Sequence, residues 1–271
     1  MYNLKGKVAV VTGAGSERGI GHHAAVRLAA EGANVVVADL AQLREGLNTV
    51  VSEIEQKGVE GFSAIADVTD ERQVVNLVDV AISKFGKIDI LINSHGIQGP
   101  LSMPVFEYPE EDWNKVMNIN LDGTFLCCRE VAKHMVERKE GGRIINVASR
   151  AGKIGRPGHA AYSASKFAVI GLTQSLALEL APYRITVNAV CPSTLATGFL
   201  KRDELEQVKT KFGLTHEEAA NRVFSDVIKK IPLGRLCTAQ DVVNMILFLA
   251  SDQADYCTGQ AMNVNGGFLM K

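Results

Sequence analysis

The chain has 271 residues, 46% apolar and 22% charged, with 29 Lys and Arg against 30 Asp and Glu. That apolar content supports a sizeable core and excludes a disordered or fibrous polypeptide, while near-neutrality offers no global field for nucleic acid or an anionic membrane. The five cysteines (Cys127, Cys128, Cys191, Cys237, Cys257) form no C-x-x-C pair and no metal-ligand spacing with His. This argues against a disulfide framework or a metal site and for a reducing compartment. Neither Met1 to Val11 nor Val242 to Ala250 reads as a signal or a membrane span, so a cytoplasmic protein with no membrane partner is expected.

In chain order, short β-branched runs alternate with longer amphipathic stretches. Strands are predicted at Val8 to Thr12, Asn34 to Ala38, Phe62 to Ala66, Ile88 to Asn93, Arg143 to Val147, Ile185 to Val190 and Ala261 to Val264. Most are continuously apolar, as expected of strands covered on both faces. Helices are predicted near 19–31, 41–57, 70–85, 110–138, 160–181 and 238–250, the third capped by Thr69 with Asp70 and Glu71 in its first turn. Cys127 and Cys128 lie in an apolar stretch and are expected to be buried. This alternation predicts an α/β fold, a doubly wound parallel sheet of about seven strands in a single domain spanning 1–271. Two polar amphipathic stretches, about 200–213 and 215–230, make an insertion over 198–232. It lies where a helical lid over the strand ends would sit, or where a peripheral helix pair would.

The first strand runs into the first helix through Gly13, Gly15, Gly19 and Gly21. Glycine permits positive φ and lets the backbone approach a pyrophosphate seated on a helix N-terminus. Asp39 closes the second strand 20 residues after Gly19, near the spacing of a carboxylate that binds adenosine ribose hydroxyls. Such a carboxylate repels a 2′-phosphate, which favours NAD over NADP, although Arg18 offers a basic counterpart.

With these residues the chain resembles the short-chain dehydrogenase/reductase family from about Lys5 to Gly267, which implies a Rossmann-like fold. The family's T-G-x-x-x-G-x-G loop is altered here: five residues separate Thr12-Gly13 from Gly19-Ile20-Gly21, so either Gly13 or Gly15 takes the first-glycine position. The resemblance places Ser16 and Arg18 along the phosphates, Asp67 and Val68 at the adenine, and Asn93 and Gly96 in the family's N-N-A-G segment. His95 departs from that segment and reads as a packing group or a group near the site. The stretch Pro192 to Thr197 resembles the segment that positions the nicotinamide, with Ser193 in place of a glycine.

Tyr162 and Lys166 stand four residues apart on a predicted helix, hence on one face. Ser149 precedes Tyr162 by 13 residues, and Asn120 matches the family's helix-borne Asn. The resemblance implies that Tyr162 exchanges the proton, Ser149 holds the substrate oxygen, Lys166 holds the nicotinamide ribose and Asn120 anchors a relay water. Arg150, Lys153, Arg156 and His159 lie between Ser149 and Tyr162, and a guanidinium pairs well with oxyanions. Ser149, Arg150, Arg156 and Tyr162 are the expected substrate contacts.

The expected activity is NAD-dependent interconversion of a small polar, even anionic, secondary alcohol and its ketone. An NADPH-dependent 3-ketoacyl reductase and a non-catalytic NAD(H)-binding regulator are the alternatives. A homotetramer joined by the helices at 110–138 and 160–181 is expected, through residues such as Phe125, Leu126, Phe167, Ile170 and Leu172.

Overall fold

The computed structural model describes residues 2–195 and 208–270. Seven parallel strands form one sheet: β1 (Val8–Thr12), β2 (Asn34–Asp39), β3 (Gly61–Ile65), β4 (Ile90–Asn93), β5 (Gly142–Val147), β6 (Ile185–Pro192) and β7 (Ala261–Val264), in the order β3-β2-β1-β4-β5-β6-β7. Helices flank both faces: α1 (Ile20–Ala30), α2 (Arg44–Glu55), α3 (Glu71–Phe85), α4 (Glu110–Met117), α5 (Gly123–Arg138), α6 (Ala160–Leu180), α7 (His216–Ile228) and α8 (Ala239–Ala250).

The strands are largely apolar because successive side chains enter different cores. Val11, Val35, Val37 and Ile92 point to the layer of α1, α2 and α8, where they meet Leu28, Leu47, Ile246 and Leu247. Val10, Val36, Leu91 and Ile144 point to the layer of α3 and α5, against Val74, Leu77, Val131 and Met135. Cys127 and Cys128 are buried in that second layer, as expected. Among the described residues no helix is long and apolar enough to cross a membrane.

Two local readings are corrected. Asp70, not Thr69, caps α3: its carboxylate accepts from Arg72 N at 2.9 Å and Gln73 N at 3.4 Å, while the Thr69 hydroxyl donates to Asp67. The stretch 110–138 is not one helix, because a π-helical turn over Asn118–Asp122 separates α4 from α5. The widened turn carries the Asn120 side chain onto both backbone groups of Ile97, each at 2.8 Å. One extra residue in a turn leaves hydrophobic periodicity almost unchanged, so the sequence did not show it. Of the insertion, residues 208–212 are helical and α7 opens with a Thr215/Glu218 capping box. Residues 200–207 of the 200–213 prediction and Thr197 lie outside the described residues, and Gly213 is in a turn.

Beneath the carboxyl ends of β4 and β5, Asn93 Nδ2 donates to Asn146 Oδ1 at 2.9 Å, and Asn146 Nδ2 donates to Thr173 Oγ1 at 2.9 Å. This buried column ties β4, β5 and α6 together below the site. Replacing Asn146 by Leu strands a donor on Asn93 and an acceptor on Thr173, so urea unfolding should show a loss of about 1–3 kcal/mol. An unchanged midpoint would mean that the column contributes nothing.

Candidate active site

β1 and β4 are neighbours, but the chain leaves them toward opposite faces of the sheet, and a crevice opens at their carboxyl ends. It forms a cavity of about 1430 Å³, larger than a single small substrate needs.

At one end lies the glycine loop, in which Gly13 and Gly15 occupy different places. Gly13 has φ +68°, and a Cβ there would stand 2.6 Å from the His95 backbone. A Cβ on Gly21 would run into the Gly13 carbonyl oxygen. Gly13 therefore makes the tight turn and Gly21 the close packing of α1 on β1. Gly15 packs under Leu43 and donates its N–H to Asp39 Oδ2 at 2.8 Å, so it shapes the loop from behind instead of facing the cavity. Ser16, Arg18, Gly19 and Ile20 do face it, as do Asp39, Asp67 and Val68.

At the base of the crevice His95 is buried between two hydroxyls, Nδ1 2.6 Å from Thr12 Oγ1 and Nε2 3.2 Å from Thr124 Oγ1. Burial, with the Lys166 charge nearby, pushes its pKa down to about 3, so the ring stays neutral and braces β1, β4 and α5. Gly96 faces the cavity, but Asn93 lies beneath it in the amide column, which corrects its placement among the cofactor contacts.

At the other end the structure brings together Ser149, Tyr162 and Lys166, all lining the cavity. Ser149 sits two residues past β5 and caps a 3₁₀ turn over Arg150–Gly152. Lys166 Nζ is 5.9 Å from the Tyr162 ring centre and donates to the Val147 carbonyl at 2.9 Å. Burial pushes Lys166 down to about 8. It also raises the Tyr162 phenol, which the Ser149 hydroxyl and the Arg150 charge draw partly back. Asn120 is behind this group and not on the cavity wall: its amide is consumed by Ile97 and by Ser165 Oγ at 3.0 Å. Gly96 leaves room for both, since a Cβ there would lie 3.1 Å from Asn120 Oδ1 and 3.3 Å from Lys166 Nζ.

Of the basic loop, Arg150, Arg156 and His159 line the cavity. Lys153 does not; its ammonium turns away to the Ala261 carbonyl of β7 at 2.6 Å. Pro192 lines the cavity with Ser193 and Thr194. Sequence reasoning missed Phe224 and Val227, which α7 presents to the cavity, and Phe268, whose ring lies 4.0 Å from the Arg150 guanidinium. Only the glycine pair Gly266-Gly267 ahead of Phe268 hints at a turn there.

A cavity at a topological switch point, with a glycine turn and acidic strand end on one side and a Tyr–Lys pair on the other, defines a dinucleotide-dependent oxidoreductase. A family model described as enoyl-(acyl carrier protein) reductase matches residues 13–269. The chain is 39% identical over 264 residues to the 3-oxoacyl-[acyl-carrier-protein] reductase FabG of Staphylococcus aureus, covering 97% of this chain and 98% of that one. Among solved structures, NAD+-bound xylitol dehydrogenase superposes with a TM-score of 0.87 at 37% identity, over 97% and 99% of the two chains. An actinorhodin polyketide ketoreductase variant with NADPH gives 0.86 at 37% identity, over 97% of each. The chain belongs to the short-chain dehydrogenase/reductase family.

The depressed His95 pKa has a consequence for stability. An unfolded histidine takes up a proton near pH 6.5 and the buried one does not, so between those pH values the unfolded chain binds more protons. His95 should thus contribute a loss of stability of up to about 1.4 kcal/mol per pH unit as pH falls below 6.5. Urea titrations of wild type and His95→Gln across pH 4–7 check this: the variant should have the flatter profile, and identical slopes would refute it.

Proposed function

We propose that this protein interconverts a ketone and a secondary alcohol with NAD(H). The observation that carries the reading is the convergence of Ser149, Tyr162 and Lys166 on the wall of one cavity whose far end is the glycine loop and Asp39. The donor set suits a nicotinamide dinucleotide: the Gly13 turn admits close approach of a pyrophosphate, and Asp39 stands where a ribose diol would be bound. When bound, that cofactor supplies the hydride and returns with one fewer, so the substrate gains a hydride and a proton.

The chain's own residues handle the proton and the orientation. Ser149 Oγ donates to the substrate carbonyl oxygen and stabilises the charge developing there. Tyr162 Oη delivers the proton to that oxygen in reduction and accepts it in oxidation. Because burial raises its pKa, Tyr162 is a protonated phenol at neutral pH, which is the form reduction needs. Lys166, protonated below about pH 8, favours the phenolate left behind and would hold the nicotinamide ribose. Asn120 holds Ile97 from behind. Phe224 and Val227 of α7 cover the substrate end, a role suited to a lid. Exposed Phe125, Phe167 and Leu178 on α5 and α6 support assembly into a homo-oligomer, with a tetramer the expected size.

A second reading is an NADPH-dependent reductase of 3-oxoacyl groups. The names of the bacterial reductases and the ketoreductase support it, and Arg18 supplies a basic residue for the phosphate. Asp39 opposes it through like-charge repulsion of a 2′-phosphate.

Tyr162→Phe should lower turnover by about 10²-fold or more in both directions while NADH fluorescence titrations stay near wild type. In wild type, ketone reduction should hold level to about pH 8 and fall above it, whereas alcohol oxidation should rise with pH. Full turnover in Tyr162→Phe would refute the mechanism, and NADH binding without turnover in wild type would leave a cofactor-binding regulator. Asp39→Ser should shift the NADP/NAD ratio of kcat/KM toward NADP by about tenfold or more. A wild-type enzyme that already prefers NADPH would select the second reading.

A further inference from the structure

Arg150 is only 7% exposed, and in the cavity it stands next in the chain to Ser149. Its guanidinium carbon lies over the Phe268 ring, 4.0 Å from the ring centre, and Nη2 donates to Thr194 Oγ1 at 3.3 Å. Nη1 is buried and has no hydrogen-bond partner among the described residues, and no carboxylate lies within ion-pair distance of the side chain there. The Arg156 charge acts on it as a like charge. A buried guanidinium is costly without an anion or a full set of acceptors, and removing one from a folded protein is the usual relief. Here the chain does the opposite and builds a mount for it. Gly266 and Gly267 take φ +62° and +87°, and side chains there would strike Ile231 and Pro232. That turn brings Phe268 back over Arg150.

We propose that the substrate bears a carboxylate close to its reacting carbonyl, and that this group pairs with the Arg150 guanidinium where that side chain lines the cavity, with Phe268 packed over it. The inference rests on the ketone/alcohol reading above and names its substrate class: an oxo acid on one side of the reaction and the matching hydroxy acid on the other. Arg156, exposed at the cavity mouth, adds a second positive charge along the entry path. His159, whose Nδ1 is 3.0 Å from the Pro157 carbonyl, also faces the cavity but takes no part in the docking.

The test compares acetoacetate with its ethyl ester, which differ by one charge beside the same ketone. With NAD+ present the ketone cannot be reduced, so calorimetry reads binding without turnover. Wild type should bind acetoacetate about tenfold or more tighter than the ester. Arg150→Met should weaken acetoacetate by about 30-fold or more and the ester by much less, as expected when one partner of a buried charged pair is lost. Phe268→Leu, which leaves every charge in place, should weaken acetoacetate in the same direction. Equal affinity for the two probes in wild type, or an equal loss of both in Arg150→Met, would overturn the proposal. If the ester is then still reduced in a Tyr162-dependent way, the reductase reading stands without the anion site. If acid and ester are discriminated through Arg150 but neither is turned over, the anion site stands and the reductase reading fails.

Discussion

The reversal of winding between β1 and β4 is the constraint on which the rest of the molecule depends. Two parallel neighbours whose crossovers leave on opposite faces cannot have their carboxyl ends covered by either crossover, so a crevice is built into the topology. The crevice must still be closed at its base. Gly13 and His95 do this by direct backbone contact, which is why Gly13 tolerates no side chain. Among the described residues, the loop residues that line the crevice above that contact follow β1, β2, β3, β4, β5 and β6.

The floor of the crevice is polar but nearly without charge. His95 is neutral between two threonines, Asn93 and Asn146 pair with each other and with Thr173, and Asn120 is closed onto Ile97 and Ser165. Satisfied neutral networks of this kind rigidify a core, because any rearrangement strands a buried donor or acceptor. The charges are kept for the wall. Lys166 spends one of its three donors on the Val147 carbonyl, and Arg150 spends one nitrogen on Thr194, so both hold their position while keeping donors for a ligand.

Most of this was legible in the sequence because it depends on period and punctuation. Continuous apolar runs gave all seven strands to within two residues at either end, and Tyr162 and Lys166 were readable as one helix face from their spacing alone. What escaped depends on contacts between distant segments. The choice between Gly13 and Gly15 turned on which glycine meets His95, and His95 is 82 residues away from Gly13. Lys153 looked equivalent to Arg150 and Arg156 in the loop, and only the position of β7 shows that it bonds the Ala261 carbonyl instead. The π-turn at Asn118–Asp122 left no periodic trace, although it decides where Asn120 points.

Both signs of charge line the cavity: Asp39, Asp67 and Arg18 lie with the glycine loop, and Lys166, Arg150 and Arg156 line it with Ser149 and Tyr162. Burial moves the two titrating groups of the reactive end in opposite senses, Lys166 downward and Tyr162 upward. Each shift says that the cavity disfavours the charged form when nothing else is there. An oxyanion between them reverses that penalty for the ammonium and for the Arg150 guanidinium, since a low-dielectric wall strengthens the attraction as much as it penalises an isolated charge. A carbonyl oxygen gaining negative charge is such an oxyanion. The Lys166 ammonium is therefore underpaired in the resting state and gains a partner as charge develops beside it, which is how a fixed group binds a transition state more tightly than a ground state.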